Sequence, residues 1–245
     1  MSVIAATLLT DRKPAFPVSL QYLTQEPLIE RIYVNIETRY PSSYSYVTKF
    51  LEESGKPFYV DYWNIESNWR QRPEYDQDPK RFAPIAMGRN MTLDWAISMT
   101  WFDPNTSHLL FVDSDVRPHP GGLEKLLALQ KPITGGVVPG RGAHSHVNYV
   151  FGVHDQIGDV IRCMHGTSGY LLLERSSFEV QRFRSGPCIY NRGDFLCDDP
   201  AYATDAFHMK LTDYWYIHKG ATADHVDDPD RPLTLETAIN DYHRP

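Results

Sequence analysis

Leu109-Leu110-Phe111-Val112-Asp113-Ser114-Asp115-Val116 is the stretch from which the fold can be read. Four apolar residues in a row, bounded by polar ones, predict a buried strand, too short for a typical helix. The strand runs into two carboxylates, Asp113 and Asp115, separated by one small residue. In an extended chain, residues two apart project to the same side. Two carboxylates aimed one way at the open end of a strand repel each other unless a cation lies between them. Hard oxygen ligands of this kind suit Mg²⁺ or Mn²⁺, ions usually held by one or two carboxylates plus substrate phosphates. The alternative is a solvated turn after a strand, where Asp and Ser are also common. The buried run in front favours the ligand reading, because open α/β sheets bind ligands at the carboxyl ends of their strands.

Outward from this segment, Val116-Arg117-Pro118-His119-Pro120-Gly121-Gly122 is rich in turn formers. Leu123 to Leu129 spaces leucines at helical intervals, and Pro132 to Pro139, with Gly135-Gly136, predicts another strand. Asp103 lies in an Asp103-Pro104-Asn105 turn before the strand and is expected to be structural. The order of hydrophobic strand, Asp-Ser-Asp, proline, short helix and Gly-Gly strand, from Phe111 to Arg141, resembles the Asp-x-Asp segment of nucleotide-sugar glycosyltransferases with the A-type fold. The resemblance is to the broad family-two-like group of bacteria and phages in particular.

The 245-residue chain is long enough for one sizeable α/β domain. Its net charge of −7 gives no general basic surface for nucleic acid. Cys163, Cys188 and Cys197 have no close metal-type spacing, so reduced thiols and a cytoplasmic location are the simplest expectation. Met1 to Thr10 lacks the charged lead and length of a secretory signal, and no stretch approaches membrane-spanning length.

From the front, Val3 to Thr10, Ile32 to Ile36 and Pro57 to Trp63 predict strands. A helix is expected to begin between Pro17 and Tyr22, and another from Ser42 to Glu53. This alternation predicts a single doubly wound, mostly parallel sheet flanked by helices. Residues 1–112 would form the nucleotide-binding half, 113–228 the metal and acceptor half, and 229–245 a tail. The loops after the first strands hold the nucleotide in the resembling family. By position that implies Thr10, Asn35, Glu37 and Asn64 as base and ribose contacts. Each is equally readable as a turn or cap. Trp63 to Pro84 is polar and rich in Arg, Asp and Pro, as in a lid or acceptor-side insertion. A helix follows, with Met91, Trp95 and Ile97 expected to face inward. Arg89, near its start, is implied by the resemblance to approach the diphosphate, together with Asp113, and a helix N-terminus also favours an anion.

Further on, Arg141 to His146 reads as an exposed loop in which His144 and His146 are solvated. Phe151 to Arg162 alternates as a hairpin, and Ser176 to Val180 caps and begins a helix. His165-Gly166-Thr167-Ser168-Gly169, followed by an apolar strand and Arg175, resembles the family's segment where small residues let the backbone approach the sugar. The hydroxyls of Thr167 and Ser168 would then reach a sugar oxygen. The family places an acidic pair, usually Glu-Asp, at the start of a later helix, where the Asp is general base in inverting members. Here Thr204 replaces the Glu before Asp205, while Asp198-Asp199 lies upstream and precedes a proline. Asp205 is preferred because Phe207 and Leu211 continue a helical face, and Asp199 is its rival. Tyr214 to His218 predicts a closing strand, with Lys219 to His225 as the loop after it. In the resembling proteins a His just past this strand completes the metal shell, and His225 fits that position better than His218.

The resemblance thus implies a metal-dependent hexosyl- or pentosyltransferase that uses a nucleoside diphosphate-sugar. The metal would sit on Asp113, Asp115 and His225, and imidazole beside carboxylates suits Mn²⁺ better than Mg²⁺. The acceptor hydroxyl, whether on a glycan, a lipid, a protein or a modified DNA base, is left open, as are oligomeric state and inversion or retention. A nucleotidyltransferase is one alternative, although Thr7 to Pro14 lacks the Gly-rich phosphate loop such an enzyme carries. A non-catalytic nucleotide- or sugar-binding module is the other.

Overall fold

A computed structural model describes residues 2–10, 17–38, 41–63, 82–139, 151–166, 169–184, 186–187, 195–196, 202 and 205–226. The first half is β1 (Ser2–Thr10), α1 (Val18–Gln25), β2 (Ile29–Glu37), α2 (Ser45–Ser54), β3 (Phe58–Trp63), α3 (Phe82–Phe102) and β4 (Thr106–Val112). The second half is β5 (Val116–Pro118), α4 (Gly122–Ala128), β6 (Ile133–Val137), β7 (Phe151–Ile157), β8 (Val160–His165), β9 (Tyr170–Glu174), α5 (Arg175–Phe178) and β12 (Trp215–His225). Between α5 and β12 two short strands, β10 (Gly186–Pro187) and β11 (Phe195–Leu196), pair with each other.

The main sheet has the order β3-β2-β1-β4-β9-β6-β12-β8-β7, with β5 attached to β12. Strands β3, β2, β1 and β4 are parallel neighbours, and β6 and β12 run the same way. The expected mostly parallel sheet flanked by helices is therefore present. One exception sits at the centre, where β9 lies antiparallel between β4 and β6, and others at the far edge, where β8 and β5 run antiparallel to β12.

Alternation along the strands sorts side chains onto two faces. Val3, Ala5, Leu9, Val34, Leu110 and Val112 pack on one face against Leu20 and Leu23 of α1, Val47 and Leu51 of α2, and Leu123 and Leu126 of α4. Ile4, Ala6, Tyr33, Leu109, Phe111 and Leu171 pack on the other against Leu93 and Ala96 of α3 and Phe178 of α5. A strand covered on both faces has no polar side to show, which is why β1 and β4 read as continuous apolar runs.

Several local expectations are corrected. In α3 the buried residues among those described are Ala86, Gly88, Arg89, Thr92, Leu93, Ala96 and Thr100. Trp95 and Ile97 do pack against this core, half-buried, with Trp95 stacked on Tyr33 at 4.9 Å between ring centroids, whereas Met91 is half-buried outside it. The helix after β9 is one turn, Arg175–Phe178, without a side-chain cap. Its Ser177 hydroxyl is buried and instead donates to Gln181 Oε1 at 2.9 Å. Lys219 to His225 is not a loop. Trp215–His225 is one eleven-residue strand that pairs with β8 at its start, shifts register along β6 between Ile217 and Thr222, and ends on β5. Its polar composition hid the second half of the strand, because that half hydrogen-bonds to Val116–Pro118, the segment read as turn-rich. Close packing here depends on Gly136, where a Cβ would stand 2.1 Å from Tyr170 Cδ1 and 2.5 Å from the Ala221 carbonyl oxygen.

Candidate functional site

The carboxyl ends of β4, β6 and β12 converge on the Asp113-Ser114-Asp115 segment. This segment is a tight turn, not an extended pair of carboxylates: the Val116 N–H donates to the Asp113 carbonyl at 2.9 Å. The Asp113 N–H donates to the Gly169 carbonyl at 3.0 Å, and the Ser19 N–H in the first turn of α1 reaches the Ser114 carbonyl at 3.4 Å. The turn is thereby held from both flanking layers, and its two carboxylates are sent to different partners.

Asp113 meets Arg89. The Arg89 Nη2 lies 3.2 Å from Asp113 Oδ1, with the arginine side chain 6% exposed and the aspartate side chain 40%. A buried guanidinium requires a compensating anion and hydrogen bonds. Arg89 has Asp113 and also the face of Phe183, 5.4 Å from its guanidinium carbon. Asn35 anchors the same helix: its Nδ2 donates to the Gly88 carbonyl at 2.9 Å, while its Oδ1 is buried with no hydrogen-bond partner among the described residues. Asn35 is fully buried and Glu37 is 5% exposed, so both sit within the β2 end rather than standing out from it.

Asp115 meets His225. Pairing of β5 with the end of β12 sets His225 opposite Val116, and the Val226 N–H donates to the Asp115 carbonyl at 2.6 Å. His225 Nε2 then lies 3.5 Å from Asp115 Oδ2, both side chains nearly buried. His225 Nδ1 is 3.1 Å from the Pro139 carbonyl, which can only accept, so Nδ1 is the donor there, and Nε2 faces the Asp115 carboxylate. A backbone carbonyl that holds one ring nitrogen also fixes where the other points, as around metal-ligating imidazoles. Among the described residues no group of three or more His, Cys, Asp or Glu is assembled to hold a metal. Two protein ligands plus substrate phosphates are nevertheless a usual set for Mg²⁺ or Mn²⁺, so the donor chemistry fits such an ion.

Beside this pair, on the other side of β12, Asp224 accepts from Arg117 Nη2 at 2.7 Å and pairs with His119 Nε2 at 2.9 Å; His119 Nδ1 is 2.8 Å from the Thr222 hydroxyl. Asp224 is 5% exposed. The cluster locks β5 to β12 and so holds Asp115 against His225. Sequence reading passed over it because Arg117, His119 and Asp224 become neighbours only through that pairing.

Asp205 lies in the helical segment 205–208 and is gripped side-on by Arg184, with Nε to Oδ2 at 2.7 Å and Nη2 to Oδ1 at 2.8 Å. Arg184 follows Phe183, the residue whose ring carries Arg89. Phe183 and Arg184 carried no sequence signal. Of the other sequence candidates, Thr10 ends β1, opposite Glu37. Asn64, His144, His146, Thr167, Ser168, Asp199, Cys188, Cys197 and the tail lie outside the described residues, as does the insertion from 64 to 81. Gly166 is used in packing: a Cβ there would stand 2.8 Å from Ile217 Cδ1. No helix among the described residues is long and apolar enough to cross a membrane.

No protein-family model and no curated protein sequence matches the chain. Solved structures do share its fold. S. aureus TarS 1-349 in complex with UDP is 12% identical, with a TM-score of 0.57 over 91% of this chain and 59% of TarS. A197 from STIV is 11% identical, with a TM-score of 0.53 over 95% of this chain and 91% of that one. A putative glucose-1-phosphate thymidylyltransferase from Bacillus anthracis, in complex with a sucrose, is 9% identical, with a TM-score of 0.51 over 100% and 96%. At these identities the likeness is one of fold, the A-type α/β fold expected above.

Proposed function

We propose that the chain is a metal-dependent glycosyltransferase that moves a sugar from a nucleoside diphosphate-sugar to an acceptor hydroxyl. The observation that carries this reading is the meeting of Asp115 with His225, oriented by the Pro139 carbonyl, at the carboxyl edge of the sheet, beside the Arg89–Asp113 pair. Asp115 and His225, with Asp113 assisting, would hold Mn²⁺ or Mg²⁺, which supplies positive charge to the departing diphosphate. Arg89 adds a fixed, desolvated cation next to that edge. The ends of β1 and β2, with Thr10, Asn35 and Glu37, and with Asn64 beyond β3, border the nucleotide; Asn35 acts there by anchoring α3 through Gly88. Residues 1–112 on this reading form the nucleotide side, and 113–228 the metal and acceptor side. In an inverting reaction Asp205, or its rival Asp199, takes the acceptor proton. Arg184 orients the Asp205 carboxylate and releases one oxygen to the acceptor.

Support comes from the fold shared with a UDP-bound protein. The fold shared with a thymidylyltransferase favours nucleotidyl transfer as the second reading. A thermal-shift screen of nucleoside diphosphates and nucleotide-sugars with Mn²⁺, followed by product analysis, separates the two. Release of nucleoside diphosphate only with metal supports glycosyl transfer, whereas pyrophosphate exchange into a nucleotide-sugar overturns it.

A further inference from the structure

Residues 181–184 belong to no helix or strand, so their backbone groups must find partners outside a ladder. For Phe183 one side chain supplies both. Asn90 Nδ2 donates to the Phe183 carbonyl at 2.8 Å, and the Phe183 N–H donates to Asn90 Oδ1 at 2.8 Å. A carboxamide bound at both ends by one residue fixes the position and the rotation of that residue's backbone. One position earlier, Arg182 Nη2 reaches Asp94 Oδ1 of the same helix α3 at 3.0 Å. One position later, Arg184 holds Asp205.

The Phe183 ring is buried and meets two other rings. It is stacked on Tyr202 at 4.3 Å between centroids, with 24° between planes, and stands edge-to-face with Phe111 of β4 at 5.6 Å and 80°. Tyr202 is itself held: its hydroxyl is 3.1 Å from Ser177 Oγ, and its carbonyl accepts from Gln181 Nε2 at 3.1 Å. Backbone and ring of Phe183 are therefore both fixed. Against this ring lies the Arg89 guanidinium, its carbon 5.4 Å from the centroid and within cation–π range.

The Arg89 side chain is 6% exposed, whereas that of Asp113, its anionic partner, is 40% exposed. In the proposed reaction Arg89 also faces the donor diphosphate. The anions around the guanidinium then change as donor comes and goes, while the guanidinium stays buried. A ring face carries no charge or proton to exchange, and it attracts a desolvated cation most strongly. Neighbouring residues of α3 thus divide the work: Asn90 clamps Phe183, and Arg89 lies on its ring. We infer that Phe183 is a positioning residue for donor binding: clamped by Asn90, its ring sets where the Arg89 guanidinium stands, and with it the affinity for a diphosphate. Phe183 has this role only if the proposed transfer reaction holds.

A double-mutant cycle separates the placing of Arg89 from general packing. Calorimetry gives the affinity of the parent for UDP, dTDP, GDP, ADP and CDP with Mn²⁺, and the tightest of these serves as probe. Phe183→Leu, which keeps an apolar side chain but loses the ring face, should weaken the probe about tenfold. In an Arg89→Met background the same substitution should weaken it by less than about twofold, because no cation is left to place. Equal losses in both backgrounds overturn the inference, since the ring would then act by packing alone. Asn90→Ala, at a half-buried position, tests the clamp and also serves where Phe183→Leu does not fold. It should weaken the probe and shift the Arg89 Nε–H signal in spectra of metal-free, ¹⁵N-arginine-labelled protein, a signal assigned by its absence in Arg89→Met and sensitive to the ring current of Phe183. An unmoved Arg89 signal with unchanged affinity overturns the assignment. If no nucleoside diphosphate binds the parent, the transferase reading falls and the role of Phe183 with it. Binding to the parent without coupling in the cycle leaves that reading intact and removes the role of Phe183 alone.

Discussion

The two halves of the sheet are built by different rules. From β1 to β3 each strand lies beside the next in the chain, and β4 returns to the other side of β1, all parallel, with helices at the crossovers. From β5 onward the order is scrambled and mixed: β9 is inserted antiparallel between β4 and β6, and β12 runs parallel to β6 but antiparallel to β8 and β5. The first half offers a scaffold with its polar residues tucked into strand ends, as in buried Asn35 and Glu37. The second half brings together groups from distant parts of the chain: Asp115 with His225, and Arg184 with Asp205. A parallel scaffold with local connections forms a rigid floor, and the chemistry can be changed by altering the long-range pairings laid upon it.

Experiments that remove single residues test this division. The largest effect is expected from Asp115→Ala, at the junction of the halves. It should abolish metal-dependent binding of nucleoside diphosphate in a calorimetric titration, while Asp103→Ala leaves it intact. Asp103 only accepts the Asn105 N–H in an exposed turn before β4, at 3.0 Å. If Asp115→Ala binds nucleotide and Mn²⁺ as the parent does, the junction is not the site.

Next is Asp205→Asn, which should slow transfer by ~10²–10⁴-fold with donor affinity nearly unchanged, because a general base touches the acceptor. Loss of transfer in Asp199→Asn, with Asp205→Asn active, would move the base upstream. Retained transfer in both points to a retaining reaction, and product stereochemistry by NMR checks it.

A smaller effect, on stability, is expected from Gly136→Val in the second half. The added atoms collide with Tyr170 and the Ala221 backbone, where overpacking costs about 3 kcal/mol. Denaturant unfolding measures this against Gly158→Ala in the β7–β8 turn, where there is open space and only the positive φ of 59° is strained, at about 1 kcal/mol. Equal losses would mean that β6 is not packed as tightly as described.

Smallest is His225→Ala, expected to weaken metal affinity by about tenfold, on the scale of a shell that keeps its carboxylates. Unchanged affinity in this variant, with loss in a His144/His146 double variant, would reverse the assignment.

Much of the first half was legible in the sequence. Apolar runs such as Val3 to Leu9 and Leu109 to Val112 announce strands buried on both faces, and the spacing of helical segments between them announces parallel crossovers. Both signals are local, so a single sequence carries them. The position of the Asp-Ser-Asp segment after a buried strand was legible as well, but its form was not, because the chain closes a turn where the sequence reads two carboxylates aimed one way. The course of β12 was not: residues 219–225 are polar, and they become a strand only because β5 supplies the hydrogen-bond partners that a lone edge lacks.

From its sequence alone the chain determines where the strands and helices of the first half lie and that Asp113 and Asp115 follow a buried strand. Only the tertiary structure decides that Asp113–Asp115 is a tight turn dividing its carboxylates between Arg89 and His225, and that Arg184 grips Asp205. The reason is that side-chain periodicity is a property of neighbouring residues. A contact between residues 115 and 225 depends on how every backbone N–H and carbonyl in between finds a partner.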